Sequence, residues 1–191
     1  WMPQLQSRGQ IAARGLPAGP DMSRNTIRWT ILAALTEARE QVRIVTPYFL
    51  PDAELITALS LAAMRGVSVD IVLPGKNNLA YMTWATRALL DELIQAGCRI
   101  WKSTGPFDHA KLMTVDRSWS LVGSANWDPR SLRLNFEFNL ECYSVNLAAE
   151  LNQAIDTKIA TATAETAKSL KNRALSTKLR DNIARLMSPY L

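Results

Sequence analysis

Apolar positions along the chain change their period as it proceeds, and those changes separate an α/β part from a helical tail. Ile27, Ile31, Leu35 and Ala38 recur at helical spacing behind Ser23 and Asn25, either of which suits an N-cap. They predict a helix reaching Thr36–Glu40. VRIVTPYF (42–49) is a short β-branched run stopped by Pro47. Asp52 then opens a helix with Leu55, Ile56, Leu59 and Ala63 inward and Gly66 as its stop. The rhythm repeats in VSVDIVLP (67–74), in a helix over Ala80–Ala96 ended by Gly97, and in CRIWKS (98–103). Strands alternating with helices predict an α/β fold, a mixed and largely parallel sheet flanked by helices.

After Pro106 the strands crowd together as AKLMTVD, WSLVGSA and FNLECYS, with Asp116–Ser118 as a hairpin turn between the first two. Residues 1–24 lack periodicity, are rich in Gly, Pro and Arg, and read as a lead-in loop or linker. Residues 25–148 form the principal domain and 149–191 a helical tail. Within that tail, 161–174 is a polar connector. Leu175, Leu179, Ile183, Leu186 and Met187 then mark a terminal amphipathic helix. That stripe is expected to dock on the core, with a membrane-facing helix as the alternative.

Composition adds a charge argument. The 191 residues are 48% apolar and carry a net charge of +5, which points to an anionic partner without choosing among nucleic acid, a lipid surface and a phosphate ester. From residue 151 onward, seven Lys or Arg stand against three Asp or Glu, so most of the excess lies in the tail. Cys98 and Cys142 sit in apolar runs and read as buried thiols in a reducing compartment. No run approaches the ~18 apolar residues of a membrane span, and no signal peptide is visible. No His/Cys/Asp cluster has metal-ligand spacing, so neither metal nor cofactor is expected. The chain starts at Trp1 instead of Met, and its natural N-terminus is expected to lie upstream.

The chemistry concentrates in DHAKLMTVDRSWSLVGSAN (108–126). On a strand, His109 and Lys111 at i and i+2 project to one face, while Ser124 and Asn126 follow at the far end of the next strand. Imidazole, with a reference pKa of ~6.5, supplies a nucleophile or proton carrier. A fixed cation answers non-bridging phosphate oxygens, and two neutral donors complete an oxyanion cradle. Six fixed residues at fixed gaps (His109, Lys111, Asp116, Gly123, Ser124, Asn126) arise by chance in a chain of this length about once in a million.

HxK(x)4D(x)6GSxN, as it stands at 109–126, resembles the signature of the phospholipase D superfamily. TPYFLPDAELITALSLAAMRGVSVDIVLPGK, LLDELIQAGCRIW, GSANWDPRSLRLNFEFNLE and the terminal IARLMSPYL are similar to the C-terminal half of bacterial cardiolipin synthases. The likeness covers roughly 25–145 and the extreme tail. It implies a phospholipase D-like αβα sandwich. It further implies that His109 attacks phosphorus or protonates the leaving alcohol, that Lys111 binds phosphate oxygens and that Ser124 and Asn126 form the cradle. Glu137 would hold the far imidazole nitrogen, which an imidazole working at one nitrogen requires. Asp116 reads as structural, ordering the hairpin turn. Tyr48 is a candidate substrate-binding residue. Arg130 and Arg133 flank the motif, with binding of a second phosphate or head group and a plain helix-surface role both open. Asp108 either raises the imidazole pKa or points the other way along the strand.

A phosphohistidine mechanism needs a nucleophile and a general acid on opposite faces of phosphorus, and this chain has one histidine. The resemblance therefore implies a second HKD half, in the same longer chain or in a homodimer partner. In the first case His109 is the acid/base partner. The implied reaction is phosphatidyl transfer between anionic phospholipids, without metal, at the bacterial inner membrane and on its cytoplasmic side. The isolated chain would be weakly active or only bind phosphate esters. A phospholipase D-type hydrolase and a metal-independent homodimeric nuclease are the alternatives. Against nucleic acid stands the lack of an aromatic-and-basic groove pattern.

Overall fold

The computed structural model describes residues 9–20 and 25–187. Its centre is one eight-stranded mixed sheet in the order β1-β7-β6-β5-β2-β3-β4-β8. The strands are β1 (Ala12–Ala18), β2 (Gln41–Val45), β3 (Ser68–Pro74), β4 (Arg99–Ser103), β5 (Leu112–Val115), β6 (Trp119–Gly123), β7 (Glu137–Tyr143) and β8 (Thr163–Glu165). Parallel pairing is confined to β2–β3 and β3–β4, and every other pair is antiparallel. The sheet is thus less parallel than the strand–helix alternation predicts. Only the units β2–β3 and β3–β4 bring parallel neighbours together through a helix; later neighbours pair antiparallel, and the helix after β7 carries the chain back across the sheet to β8.

Helices cover both faces. They are α1 (Thr26–Glu37), α2 (Ala53–Met64), α3 (Ala80–Gln95), α4 (Pro129–Arg133), α5 (Val145–Ala160), α6 (Ala167–Lys171) and α7 (Leu175–Leu186). Strand alternation decides which face each side chain serves. Val42, Ile44, Val69, Ile71, Ile100, Met113 and Leu121 join the main core beneath α1, α2 and α3. Val45 and Val72 point the other way and meet Ile155 of α5. On that second face Arg43 donates to the Asn152 carbonyl at 3.1 Å and pairs with Asp156, so a buried cation is satisfied there.

Local signals explain most boundaries. Asp52 caps α2 through Leu55 N–H at 3.1 Å. Gly66, at φ 93°, ends that helix in a left-handed turn. Asn25 holds the N-cap position of α1 without a side-chain cap bond, and Ser23 lies outside the described residues.

Three expectations change. Residues 12–18 of the expected lead-in loop form β1, paired antiparallel with β7 from Ala12–Tyr143 to Ala18–Glu137. The segment lacks alternation because it is an edge strand, exposed at five of seven positions, and Pro17 is tolerated there. The expected polar connector at 161–174 contains β8, paired with β4, and the capped helix α6. The terminal helix forms, but its apolar stripe does not dock. Leu175, Leu179, Ile183, Leu186 and Met187 are all more than half exposed, and the opposite side of α7 packs along α3.

Candidate active site

One sheet edge collects the motif, and topology explains why. β2, β3 and β4 end at this edge, β5 and β7 begin there, and antiparallel β6 ends there. Lys111 directly precedes β5, and its carbonyl accepts from Gly123 N–H at 3.2 Å. Ser124 continues from Gly123, Glu137 opens β7, and Thr46–Tyr48 leave β2. His109 and Lys111 lie just before the strand and outside it, so strand alternation is not what places them. The two side chains still meet: Lys111 Nζ is 3.0 Å from His109 Nδ1 and also donates to the His109 carbonyl at 2.7 Å. His109 is exposed, with Tyr48 edge-on at 6.2 Å and Phe107 at 5.8 Å between ring centroids.

Ser124 Oγ accepts from Phe138 N–H at 3.0 Å. Asn126 donates through Nδ2 to Ser131 Oγ at 3.1 Å, and its Oδ1 is buried with no protein partner. Tyr48, Asn126, Arg130 and Ser131 line one cleft of about 180 Å³ beside these groups. Tyr48 is held there by a 2.8 Å bond from its hydroxyl to Asn78. A larger cavity of about 680 Å³ lies at the opposite edge, lined by Trp29, Asp116 and Trp119, and holds none of the motif's His, Lys, Ser or Asn.

Electrostatics tie the edge together. Burial lowers the Lys111 ammonium below the ordinary lysine range, and the carboxylates of Glu137, Asp108 and Asp128 act against that shift. Asp108 answers a question that alternation raised: it pairs with Lys158 of α5 at 2.6 Å and caps Ala110 N–H at 2.9 Å, away from the imidazole. Burial pushes the Asp108 carboxyl up, but Lys158 and the Ala110 N–H outweigh it and hold it below the usual range.

Several expected residues sit differently. Glu137 lies at the right edge, but its carboxylate accepts from Asn135 at 3.3 Å, and Lys111 occupies the imidazole nitrogen instead. Arg133 points away from the cleft toward Asp52, at 3.5 Å. Asp116 is at the far end of β5, roughly 16 Å along the strand from Lys111. Its carboxylate accepts from Arg39, Glu40 and Gln41 N–H at 2.8, 2.8 and 3.0 Å.

Two residues at the site escaped sequence reasoning. Asp128 caps α4 through Ser131 N–H at 2.8 Å; burial pushes its carboxyl up, with the Glu137 charge adding to the shift. An Asp before Pro at a helix start was the available signal. Asn139 is buried and accepts from Ala125 N–H at 3.1 Å, bracing the GSxN turn from β7. Nothing in a β-strand pattern marks it. Among the described residues no His/Cys/Asp/Glu group could hold a metal ion, and no helix is long and apolar enough to cross a membrane.

Comparison with known proteins bears on the family and the fold. Residues 31–159 match the family model described as cardiolipin synthase, PLD-like domain. The chain is 32% identical over 189 residues to the major cardiolipin synthase ClsA of Bacillus subtilis, covering 99% of this chain and 39% of that protein. It is 36% identical over 188 residues to a cardiolipin synthase of Oceanobacillus iheyensis, again covering 39% of the relative. The chain thus spans about two fifths of the length of these relatives. Among solved structures, Nuc, a phospholipase D family member from Salmonella typhimurium, aligns with a TM-score of 0.71 at 19% identity, over 82% of this chain and 99% of Nuc. The phosphatidylserine synthase of Haemophilus influenzae aligns with a TM-score of 0.74 at 17% identity, over 95% of this chain and 48% of that one. At these identities the two structures speak to the fold alone.

Proposed function

The chain belongs to the family of cardiolipin synthase phospholipase D-like domains, and from that membership we propose that it is one half of a phosphatidyl-transfer site. The supporting observation is the sheet-edge pair of His109 and Lys111 beside Ser124 and Asn126, in a chain with a single histidine. An in-line displacement at phosphorus needs groups on both faces, so a second half supplies the other histidine. That half lies in the same longer chain or in a second copy.

The second half's histidine attacks the phosphorus of an anionic phospholipid such as phosphatidylglycerol, and the phosphorus–glycerol oxygen bond breaks. His109 gives its proton to the leaving alkoxide. An alcohol on a second lipid then loses its proton to His109 and attacks the phosphohistidine, which releases the nitrogen and yields cardiolipin. Lys111, now on the imidazole, turns to the phosphate oxygens when substrate enters. Nδ1 is then open to Glu137 at the same edge, which holds the tautomer. Ser124 and Asn126 face the developing charge, and Tyr48 and Arg130 line the approach. The setting is the bacterial inner membrane, on its cytoplasmic side.

The test is lipid turnover by the full-length parent carrying His109→Ala. Loss of cardiolipin with retained expression supports the reading, and undiminished output refutes it. The isolated 191-residue chain is expected to turn over phosphatidylglycerol weakly or not at all.

A further inference from the structure

The terminal helix turns its leucines outward. Leu175 is 82%, Leu179 61%, Ile183 54% and Leu186 75% exposed, and at helical spacing they form one continuous stripe with Met187. α7 is held to α3 from its other side. Asp181, 1% exposed, pairs with Arg173 and Arg180, and the Arg180 guanidinium lies 4.5 Å over the Trp84 ring. Ala184 completes that contact with the core. The stripe is therefore left free by design of the docking face, not by failure of the helix to pack.

Charge decides what suits this face. On the helical wheel Lys178 and Arg185 border the stripe on one flank and Arg180 on the other. The lone carboxylate of α7 is Asp181, buried and neutralised, so the exposed surface of the helix carries cations only. A second copy of this chain, seated symmetrically, would set those cations against their own kind. Apolar residues bordered by cations, on a helix too short to span a bilayer, match an anionic lipid surface.

The stripe also leads somewhere. Leu186 and Arg185 line a groove of about 520 Å³ that runs past Leu89 and Leu132 to Leu134 and Arg133 on α4. Leu50 and Pro129 form walls common to that groove and to the cleft holding Asn126 and Arg130. We propose that α7 is an interfacial helix that seats this chain on an anionic phospholipid surface, with the groove continuing its apolar face toward the site. The binding does not depend on the chemistry assigned to His109.

The experiment is co-sedimentation of the 191-residue chain with vesicles. Phosphatidylglycerol–phosphatidylethanolamine vesicles should bind it, and pure phosphatidylcholine vesicles should bind it at least about tenfold more weakly. The triple variant Leu179→Gln, Ile183→Gln, Leu186→Gln should lose roughly 10–100-fold in affinity. Lys178→Gln with Arg185→Gln should lose about 10–30-fold and flatten the salt dependence. Leu179, Ile183 and Leu186 are more than half exposed, so thermal melting of the triple variant should match the parent sequence. Lys178 also donates to the Lys171 carbonyl at 2.7 Å, so the charge variant is compared well below its own melting temperature, which keeps folding out of the comparison. His109→Ala should bind as well as the unaltered chain, so failure of lipid binding and failure of the catalytic reading are separate results. Equal binding by the triple variant, or equal affinity for phosphatidylcholine, overturns the proposal. So does a triple variant whose only change is loss of a dimer in light scattering, because the stripe is then a protein interface.

Discussion

Replacing Asp116 tests whether the last residue of the HxK(x)4D motif serves the fold or the chemistry. Its carboxylate accepts from three successive backbone N–H groups, of Arg39, Glu40 and Gln41. It also sits at φ 48°, followed by Arg117 at φ 57°, in the turn closed by Ser118 N–H on the Val115 carbonyl at 3.2 Å. Three hydrogen bonds at a net ~1 kcal/mol each, discounted for partial exposure, give about 2–3 kcal/mol. Alanine at a left-handed position adds roughly 1 kcal/mol. Asp116→Ala should therefore cost about 3–4 kcal/mol, Asp116→Gly about 2–3 because glycine relieves the backbone, and Asp116→Asn about 1–2. Urea denaturation followed by far-UV circular dichroism measures each midpoint.

The pH dependence has a fixed sign. Burial pushes the Asp116 carboxyl up, but the N–H groups of Gln41, Glu40 and Arg39 outweigh it and hold it below the ordinary value. An unfolded Asp titrates near ~3.9. The carboxylate's contribution is thus complete above the unfolded pKa and fades as pH falls through the folded one. The gap between native protein and Asp116→Asn should be widest near neutrality and close as the pH falls through the lowered folded pKa. A gap of constant size, or an Asp116→Gly variant as costly as Asp116→Ala, would refute the account. So would an Asn variant of the full-length parent that folds normally yet loses turnover.

Gly123→Ala should lose at least about 2 kcal/mol and disrupt the adjacent Ser124, because an added Cβ would stand 2.5 Å from the Phe138 carbonyl oxygen and 2.6 Å from Asn139 Cα; thermal melting and parent turnover report the two effects. Burial pushes Lys102 down to about 8, so its charged form burdens the fold below that pH and the burden lifts as pH rises toward ~10.4. Lys102→Met should gain about 1–2 kcal/mol near neutrality and less by about pH 10, and a pH-independent gain contradicts it. The Cys98 thiol is 3% exposed and pushed up to about 12 by burial; iodoacetamide at about pH 8 should leave it unmodified in the native chain and alkylate it in urea.

Sequence reasoning reached what local physics controls. Asp52 as a cap, Gly66 and Gly97 as stops and the β5–β6 hairpin all follow from residues close in the chain, and each is present. The motif's fixed spacing brought His109 and Lys111 together because they stand two residues apart. Partners supplied by distant elements were hidden. Lys158 reaches Asp108 across 50 positions, and β1 finds β7 only because that edge is open. The face of α7 was misjudged for a related reason. A leucine stripe marks an amphipathic helix, but whether the leucines or Asp181 face inward depends on Arg173, Arg180 and Trp84, which lie on and around the docking surface.

The sheet's two outer strands have a practical consequence for anyone trimming this protein. The family match runs from 31 to 159, whereas β1 (Ala12–Ala18) and β8 (Thr163–Glu165) both fall outside it. Cutting to the matched region would strip β1 from β7 and β8 from β4, leaving two rows of unpaired backbone groups. On β7 that row would border Phe138 and Leu140, already exposed, and the result is a template for edge-to-edge aggregation. The short flanking strands act as selvedges: β1 also sets Leu16 and Ala18 into the core, and both strands keep the fabric from joining to itself.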